Sequence, residues 1–138
     1  MPRVILSRRA TFSASHRLHS AKLSAAENRA LFGKCDSPNG HGHNYIIEVL
    51  VCGPVHSKTG IVMNLVDLKQ VIEETVVSRW DHKYLNLDVS EFRDLNPTAE
   101  NMAVVAWNLL SKRLPKGLLH EVRIHETENN VAIYNGKR

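Results

Sequence analysis

No run in the chain approaches the ~18 consecutive apolar residues of a membrane-spanning helix, so a helical span is not expected. The first residues, MPRVILSRRATFSASHRL, lack an apolar block leading to a small-residue cleavage site, because Arg8 and Arg9 interrupt the run after Leu6. A cytoplasmic location is the resulting expectation. Cysteine is scarce: Cys35 and Cys52 are alone, with no CxxC pair and no four-cysteine set, which speaks against a closed structural zinc site. In a reducing compartment these two are not expected to form a disulfide, and Cys52, inside IIEVLVCG, reads as a small buried hydrophobe. Internal repeats, low-complexity segments, basic runs and an aromatic-rich RNA signature are all missing. A nucleic-acid-binding module would account for the pI near 9.3 and for nothing else.

What is present is ordinary for a globular domain: 138 residues, 43% hydrophobic and 23% charged. A chain of this length buries roughly two-thirds of its unfolded surface, and we expect a single domain over residues 1–138 without a linker. Lys and Arg number 18 against 14 Asp and Glu, a formal charge of +4 that also suits an enzyme acting on a polyphosphate.

The patterning predicts an α+β domain. Val4 to Leu18 reads as a long first strand with one face wet. Ser24 and Glu27 form a capping box for a short helix that Gly33 ends, delivering the chain to Cys35. HNYIIEVLVCG alternates as a second strand, with Tyr45, Ile47, Val49 and Val51 on one face, and GPVHSKTG predicts a hairpin into IVMN. Asn64 caps a helix to about Ser78, striped by Leu65, Leu68, Val71, Ile72, Thr75 and Val76. A further helix opens at Pro97 and Thr98, and the tail LLHEVRIHETENNVAIYNG makes two strands around Glu128 to Asn130. The order is ββααββ, with two helices on one face of a four-stranded antiparallel sheet. Should Val49 and Val51 line the other face, another subunit has to cover it.

GKCDSPNGHGHNY, residues 33–45, concentrates the chemistry. His41 and His43 are separated by one residue, so in a strand they share a face about 7 Å apart. His16, ending the first strand in SASHRL, is the candidate third ligand, and three histidines with an open position describe a catalytic zinc centre. A chain with eight histidines also places some on solvated loops by chance, and spacing leaves both readings open. Cys35 is either a loop cysteine or a thiol whose pKa a nearby cation lowers, making it a base or nucleophile. Asp81 and His82 are either a loop dipeptide or a carboxylate that orients an imidazole exchanging protons with a thiol. Glu126, near a strand end, faces either a pocket or solvent.

Taken in order, FSASHRL, FGKCDSPNGHGHNY, VMNLVDLK, WDHKYLN, PTAEN and ETENN resemble the 6-pyruvoyltetrahydropterin synthase family over nearly the whole chain. The resemblance implies the tunnelling fold, in which three subunits close their sheets into a β-barrel and two trimers stack as a homohexamer. It implies a lyase of tetrahydrobiopterin biosynthesis that converts 7,8-dihydroneopterin triphosphate to 6-pyruvoyl-tetrahydropterin and triphosphate, with one Zn2+ per subunit and Mg2+ accompanying the substrate. His16, His41 and His43 match the family's zinc ligands, Cys35 its general base, and Asp81 and His82 the relay across a subunit interface. Glu126 matches the pterin anchor, and Thr98 and Glu100 lie in a segment that lines the same pocket. Ala99 departs from a stretch that often reads Thr-Thr-Glu in the family. RRAT, residues 8–11, matches a site for a basic-directed kinase, with Thr11 as acceptor. The sibling 6-carboxytetrahydropterin synthase usually has its cysteine closer to HGH than the five intervening residues here. A non-catalytic metal-binding module would keep the histidines but have no need of Cys35 or Glu126.

Overall fold

Two long alternating segments organise the chain, because a period of two sends every second side chain to the same face of a strand. In the computed structural model, which describes residues 2–137, they are β1 (Arg3–His16) and β2 (His41–Pro54), antiparallel in unbroken register from Arg3 opposite Pro54 to His16 opposite His41. Between them lies α1 (Ala25–Phe32), which carries the expected capping box: the Ser24 hydroxyl accepts from the Glu27 amide, and the Glu27 carboxylate accepts from the Ser24 amide. Gly33 then turns the chain at φ 57° into a single 3₁₀ turn, Gly33–Asp36, that holds Cys35.

Asn64 caps α2 (Leu65–Ile72) through its side chain, and the helix continues as a π-helical turn over Glu73–Val77 and a last α turn to Trp80. The GPVHSKTG segment makes a turn closed by His56 and Ile61 and leads directly to this helix, so the expected hairpin does not form. Leu65 falls off the buried stripe and is exposed, whereas Leu68, Ile72, Val76 and Trp80 are fully buried. Beyond the short strand β3 (Lys83–Tyr84), α3 (Ala99–Ser111) is capped by Thr98 and leads to the hairpin β4 (Leu119–His125) and β5 (Val131–Tyr134).

The helices pack on one face of the sheet, as the α+β pattern requires. The sheet gains a fifth member, because β3 pairs parallel to β1 at Ala14 and Ser15; the strand order is β3-β1-β2-β4-β5. Two residues are too few to show periodicity in a sequence. Tyr45, Ile47, Val49 and Val51 all lie under the helices, in one core with Phe12, Trp80, Phe92 and Ile124. Phe12 stacks on Tyr45 with ring centroids 5.0 Å apart, and Trp80 meets Phe12 edge-on at 5.7 Å. Burying each such side chain contributes roughly 1.5–3 kcal/mol.

Val49 and Val51 therefore do not line the open face. That face carries a polar cluster centred on Glu48, which accepts from the Ser7 hydroxyl at 2.6 Å, sits 3.1 Å from His125 Nε2, and is flanked by Arg9 and Arg123, with Ile5, Ile46, Leu50 and Ile133 around it. Burial pushes the Glu48 carboxyl up, but these donors and cations outweigh it and hold it below the usual range. Cys52 is also on this face and only half-buried, a correction to its reading as a core residue; both cysteines are free. Among the described residues no helix is long and apolar enough to cross a membrane.

Gly40 tests how tightly the end of β1 is held. Its φ is 74°, and a Cβ there would lie 3.0 Å from Tyr84 Cε1 and 3.1 Å from the His16 carbonyl oxygen, a backbone atom that has little room to yield. Gly40→Ala should cost about 1–3 kcal/mol in urea unfolding. Gly42→Ala, which meets only the Ala14 carbonyl at 3.6 Å, should change stability by less than about 1 kcal/mol. Equal midpoints for the two variants would refute this view of Gly40.

Candidate metal centre

The β1–β2 register builds the cluster. His16 lies opposite His41, and Ala14 opposite His43, so the alternation of each strand turns all three imidazoles to the helix-covered face. One ligating atom from each of the three lies within 4.8 Å of the others. The His16 and His41 rings are 4.6 Å apart, His41 and His43 4.8 Å, and His16 and His43 5.2 Å.

His16 is fully buried, and its Nδ1 donates to the Pro97 carbonyl at 2.7 Å. That bond sets the tautomer: Nε2 carries the lone pair, with His41 Nε2 within hydrogen-bond reach 3.1 Å away. Burial, together with the charges of His41 and His43, lowers the His16 pKa to about 4 against the opposing Pro97 bond. Burial and His43 likewise lower that of His41, with Glu126 opposing. At neutral pH His16 and His41 are therefore uncharged, as metal ligation requires. His41 Nδ1 and His43 Nε2 are buried without a hydrogen-bond partner. A nitrogen-rich donor set with a fixed tautomer and unpaired nitrogens fits a divalent metal of borderline softness.

Two further groups border the cluster, and the turn that holds Cys35 is tied to Leu18, just beyond His16. The Tyr45 hydroxyl lies 3.2 Å from His16 Nδ1. Burial pushes its pKa far up, and charge on Glu126 and Cys35 acts in the same direction. Glu126 follows β4, its amide closing the β4–β5 turn onto the Asn130 carbonyl at 3.1 Å, and its carboxylate is 3.9 Å from His43 Nε2. Cys35 is half-buried, and its carbonyl accepts from the Leu18 amide at 2.8 Å.

Asp81 and His82 stand apart from this group. Asp81 Oδ1 accepts from the Ser13 amide at 2.9 Å, Oδ2 lies 2.9 Å from His82 Nδ1, and the His82 amide donates to the Ser13 carbonyl at 2.6 Å. The Ser13 amide, then His82, hold the Asp81 carboxyl below its usual range. The pair is pinned beside β1 with the His82 side chain 81% exposed, and none of its hydrogen bonds reaches Cys35 or the three histidines within the chain. The Thr98 hydroxyl is committed to capping α3 through the Asn101 amide, and Glu100 is exposed in the first turn of that helix.

Sequence reasoning missed three contributors. Tyr45 continues the His41 and His43 alternation, a signal that was available. The Pro97 carbonyl is a backbone atom and leaves none. Asp36, buried beside Cys35, accepts from His19 Nδ1 at 2.6 Å and sits 3.1 Å from an Arg17 terminal nitrogen, while Arg17 Nε donates to the Asp36 carbonyl. It joins the chain after His16 to the turn that holds the thiol.

Three imidazoles from two paired strands, with the Glu126 carboxylate 3.9 Å from one of them, make this an α+β protein with a cluster able to hold a metal. The family model for 6-pyruvoyl tetrahydropterin synthase matches residues 5–137, and the chain belongs to that family. It is 52% identical over 132 residues to 6-pyruvoyl tetrahydrobiopterin synthase of Homo sapiens, covering 96% of this chain and 91% of that one. The protein of the same description from Drosophila melanogaster is 49% identical over 136 residues, covering 98% and 81%. The solved structure of Caenorhabditis elegans 6-pyruvoyl tetrahydropterin synthase superposes with a TM-score of 0.95 at 40% identity, covering 99% of this chain and 98% of that one.

The wild-type protein should bind one divalent ion per chain by native mass spectrometry, and His41→Ala should lose it; full occupancy in the variant would remove His41 from the ligand set. A second test concerns acid. With the His16 pKa lowered from 6.5 to about 4 in the fold, the unfolded chain takes up the proton first. The metal-free protein should therefore lose stability as pH falls from 6.5 toward 4, by about 3 kcal/mol from this group, and His16→Gln should flatten that part of the slope. Parallel slopes in the two proteins would show that His16 is not held neutral.

Proposed function

We propose that this chain is a zinc-dependent lyase of tetrahydrobiopterin biosynthesis that converts 7,8-dihydroneopterin triphosphate to 6-pyruvoyl-tetrahydropterin and inorganic triphosphate. The observation that carries it is the cluster of three imidazoles with the Glu126 carboxylate 3.9 Å from His43 Nε2, in a chain of which residues 5–137 match the family. His16, His41 and His43 would hold the ion. When bound, zinc supplies Lewis acidity, withdrawing electrons from the substrate's side-chain hydroxyls so that the adjoining C–H groups become more acidic. Cys35 Sγ takes a side-chain proton as general base. The Glu126 carboxylate accepts two parallel hydrogen bonds from the pterin amino and ring N–H groups and sets the ring's orientation. Thr98 and Glu100, at the start of α3, border the pterin pocket. Pro97 keeps His16 in its ligating tautomer, and the aromatic stack of Phe12 and Tyr45 keeps water from the floor of the site.

The position of Asp81 and His82 supports a relay between subunits. Asp81 orients His82 through Nδ1, leaving Nε2 free to exchange a proton with Cys35 of a neighbouring subunit. The single domain, residues 1–138, then functions as a homohexamer of two barrel-closing trimers in the cytoplasm, with Mg2+ accompanying the triphosphate. Thr11, exposed on β1 after Arg8 and Arg9, is the acceptor for a basic-directed kinase.

The decisive experiment is mass analysis of the products that zinc-loaded protein forms from 7,8-dihydroneopterin triphosphate and magnesium without oxygen. A 6-pyruvoyl product with triphosphate is expected; a 6-carboxy product with acetaldehyde would move the assignment to the sibling enzyme. Cys35→Ala and His82→Ala should each lose most turnover. Unfolded and refolded together in equal amounts, they should recover roughly a quarter of wild-type activity, since random assembly pairs intact Cys35 with intact His82 at that frequency. No recovery would refute a shared site.

A further inference from the structure

Beside the turn that holds Cys35 lies a cavity of about 260 Å³ whose wall includes Arg17, His19, Arg29, Lys34 and Asp36. Arg17 adjoins the ligand His16, Lys34 adjoins Cys35, and the bond from Leu18 to the Cys35 carbonyl ties the two segments together. Asp36 is buried and already engaged by Arg17 and His19, so its charge is spent within the wall. Arg29 and Lys34 are exposed and form no ion pair among the described residues. The cavity thus presents two uncommitted cations above an internally neutralised base, the arrangement that suits a polyanion. A second cavity, about 420 Å³, shares His19, but Asp94 stands beside Arg93 there, and the carboxamides of Asn86, Asn96 and Asn101 already serve backbone groups.

We propose that the smaller cavity is a polyphosphate subsite, and that Arg29 and Lys34 hold the triphosphate chain that leaves the substrate. The assignment rests on the substrate proposed above, whose phosphates lie at the far end of the side chain, beyond the hydroxyls that face the metal and the carbon that faces the thiol. Lys34 adjoins Cys35 in the chain and Arg29 lines the same cavity, so the uncommitted charge lies at the thiol turn, where such a chain would extend. The two residues select a phosphorylated over a dephosphorylated pterin and stabilise the departing triphosphate.

The test titrates magnesium triphosphate into zinc-loaded protein by calorimetry and measures steady-state kinetics on 7,8-dihydroneopterin triphosphate. Arg29→Ala/Lys34→Ala, two exposed positions outside the core, should weaken triphosphate binding by roughly tenfold and raise KM by a similar factor, with kcat falling far less. Lys112→Ala/Lys116→Ala, which removes the same charge at the far end of α3, should leave both quantities unchanged. Unaltered binding in the first variant, or equal loss in both, would overturn the site. Lost binding with an unmoved KM would overturn its link to the substrate and make it a site for phosphate from another source. Triphosphate binding that depends on Arg29 and Lys34, in a wild-type protein that forms no pterin product, would sink the substrate assignment and leave the polyphosphate site standing.

Discussion

The antiparallel pairing of β1 with β2 is the constraint on which the site depends. Because side chains alternate, a slip of one residue between these strands would turn His16 away from the face that carries His41 and His43. The register is secured well away from the histidines. Ile47, Val49 and Val51 have no exposed surface, and a one-residue slip of β2 would turn Glu48 under the helices and away from Arg9, Arg123 and His125. Moving a carboxylate without its partners into an apolar core costs several kcal/mol, so the Glu48 cluster and the apolar face enforce the same register.

The same pairing explains why an imidazole is tolerated in full burial. His16 has its Nδ1 proton taken by the Pro97 carbonyl and its pKa driven down, so neutral imidazole is the form the fold accommodates. What remains is an Nε2 lone pair 3.1 Å from His41 Nε2. Stability and function meet at this atom: the bond that makes burial tolerable is also the one that leaves Nε2 free to ligate. Pro97 immediately precedes the Thr98 cap, so the start of α3 and the tautomer of His16 are set by adjacent residues.

The features legible in the sequence were those with a period or a local chemical signature. The capping box at Ser24 and Glu27, the alternation from Tyr45 to Val51, and the tail hairpin all depend on neighbours a few residues apart. The histidine cluster was half legible: HGH places two rings on one face, but only the register of a strand 25 residues distant brings in His16. Features that failed to show were non-local or carried by the backbone. The Pro97 carbonyl has no residue signature, β3 is two residues long, and the opposite faces of β2 differ by a single glutamate whose partners come from β1 and β4. Leu65 was misplaced because it opens the helix directly after the Asn64 cap, where it and Val66 are both exposed and burial begins only at Leu68.

Asp36 shows how the fold prepares the centre before any ligand arrives. The thiol turn is tied to the end of β1 by three bonds from Arg17 and His19, and Gly40, with its positive φ, brings the chain back so closely to the His16 carbonyl that a methyl group has no room. In zinc-dependent folds such as the small finger domains, metal binding supplies the folding energy. Here a continuous apolar core from Phe12 to Ile124 holds the strands, and the histidines are placed by register rather than gathered by an ion. A ligand set assembled in this way keeps its spacing whichever ion visits it. Selectivity must then come from the number and softness of the donors, and three imidazoles with an open position favour a four-coordinate borderline ion over hard ions that demand six oxygens.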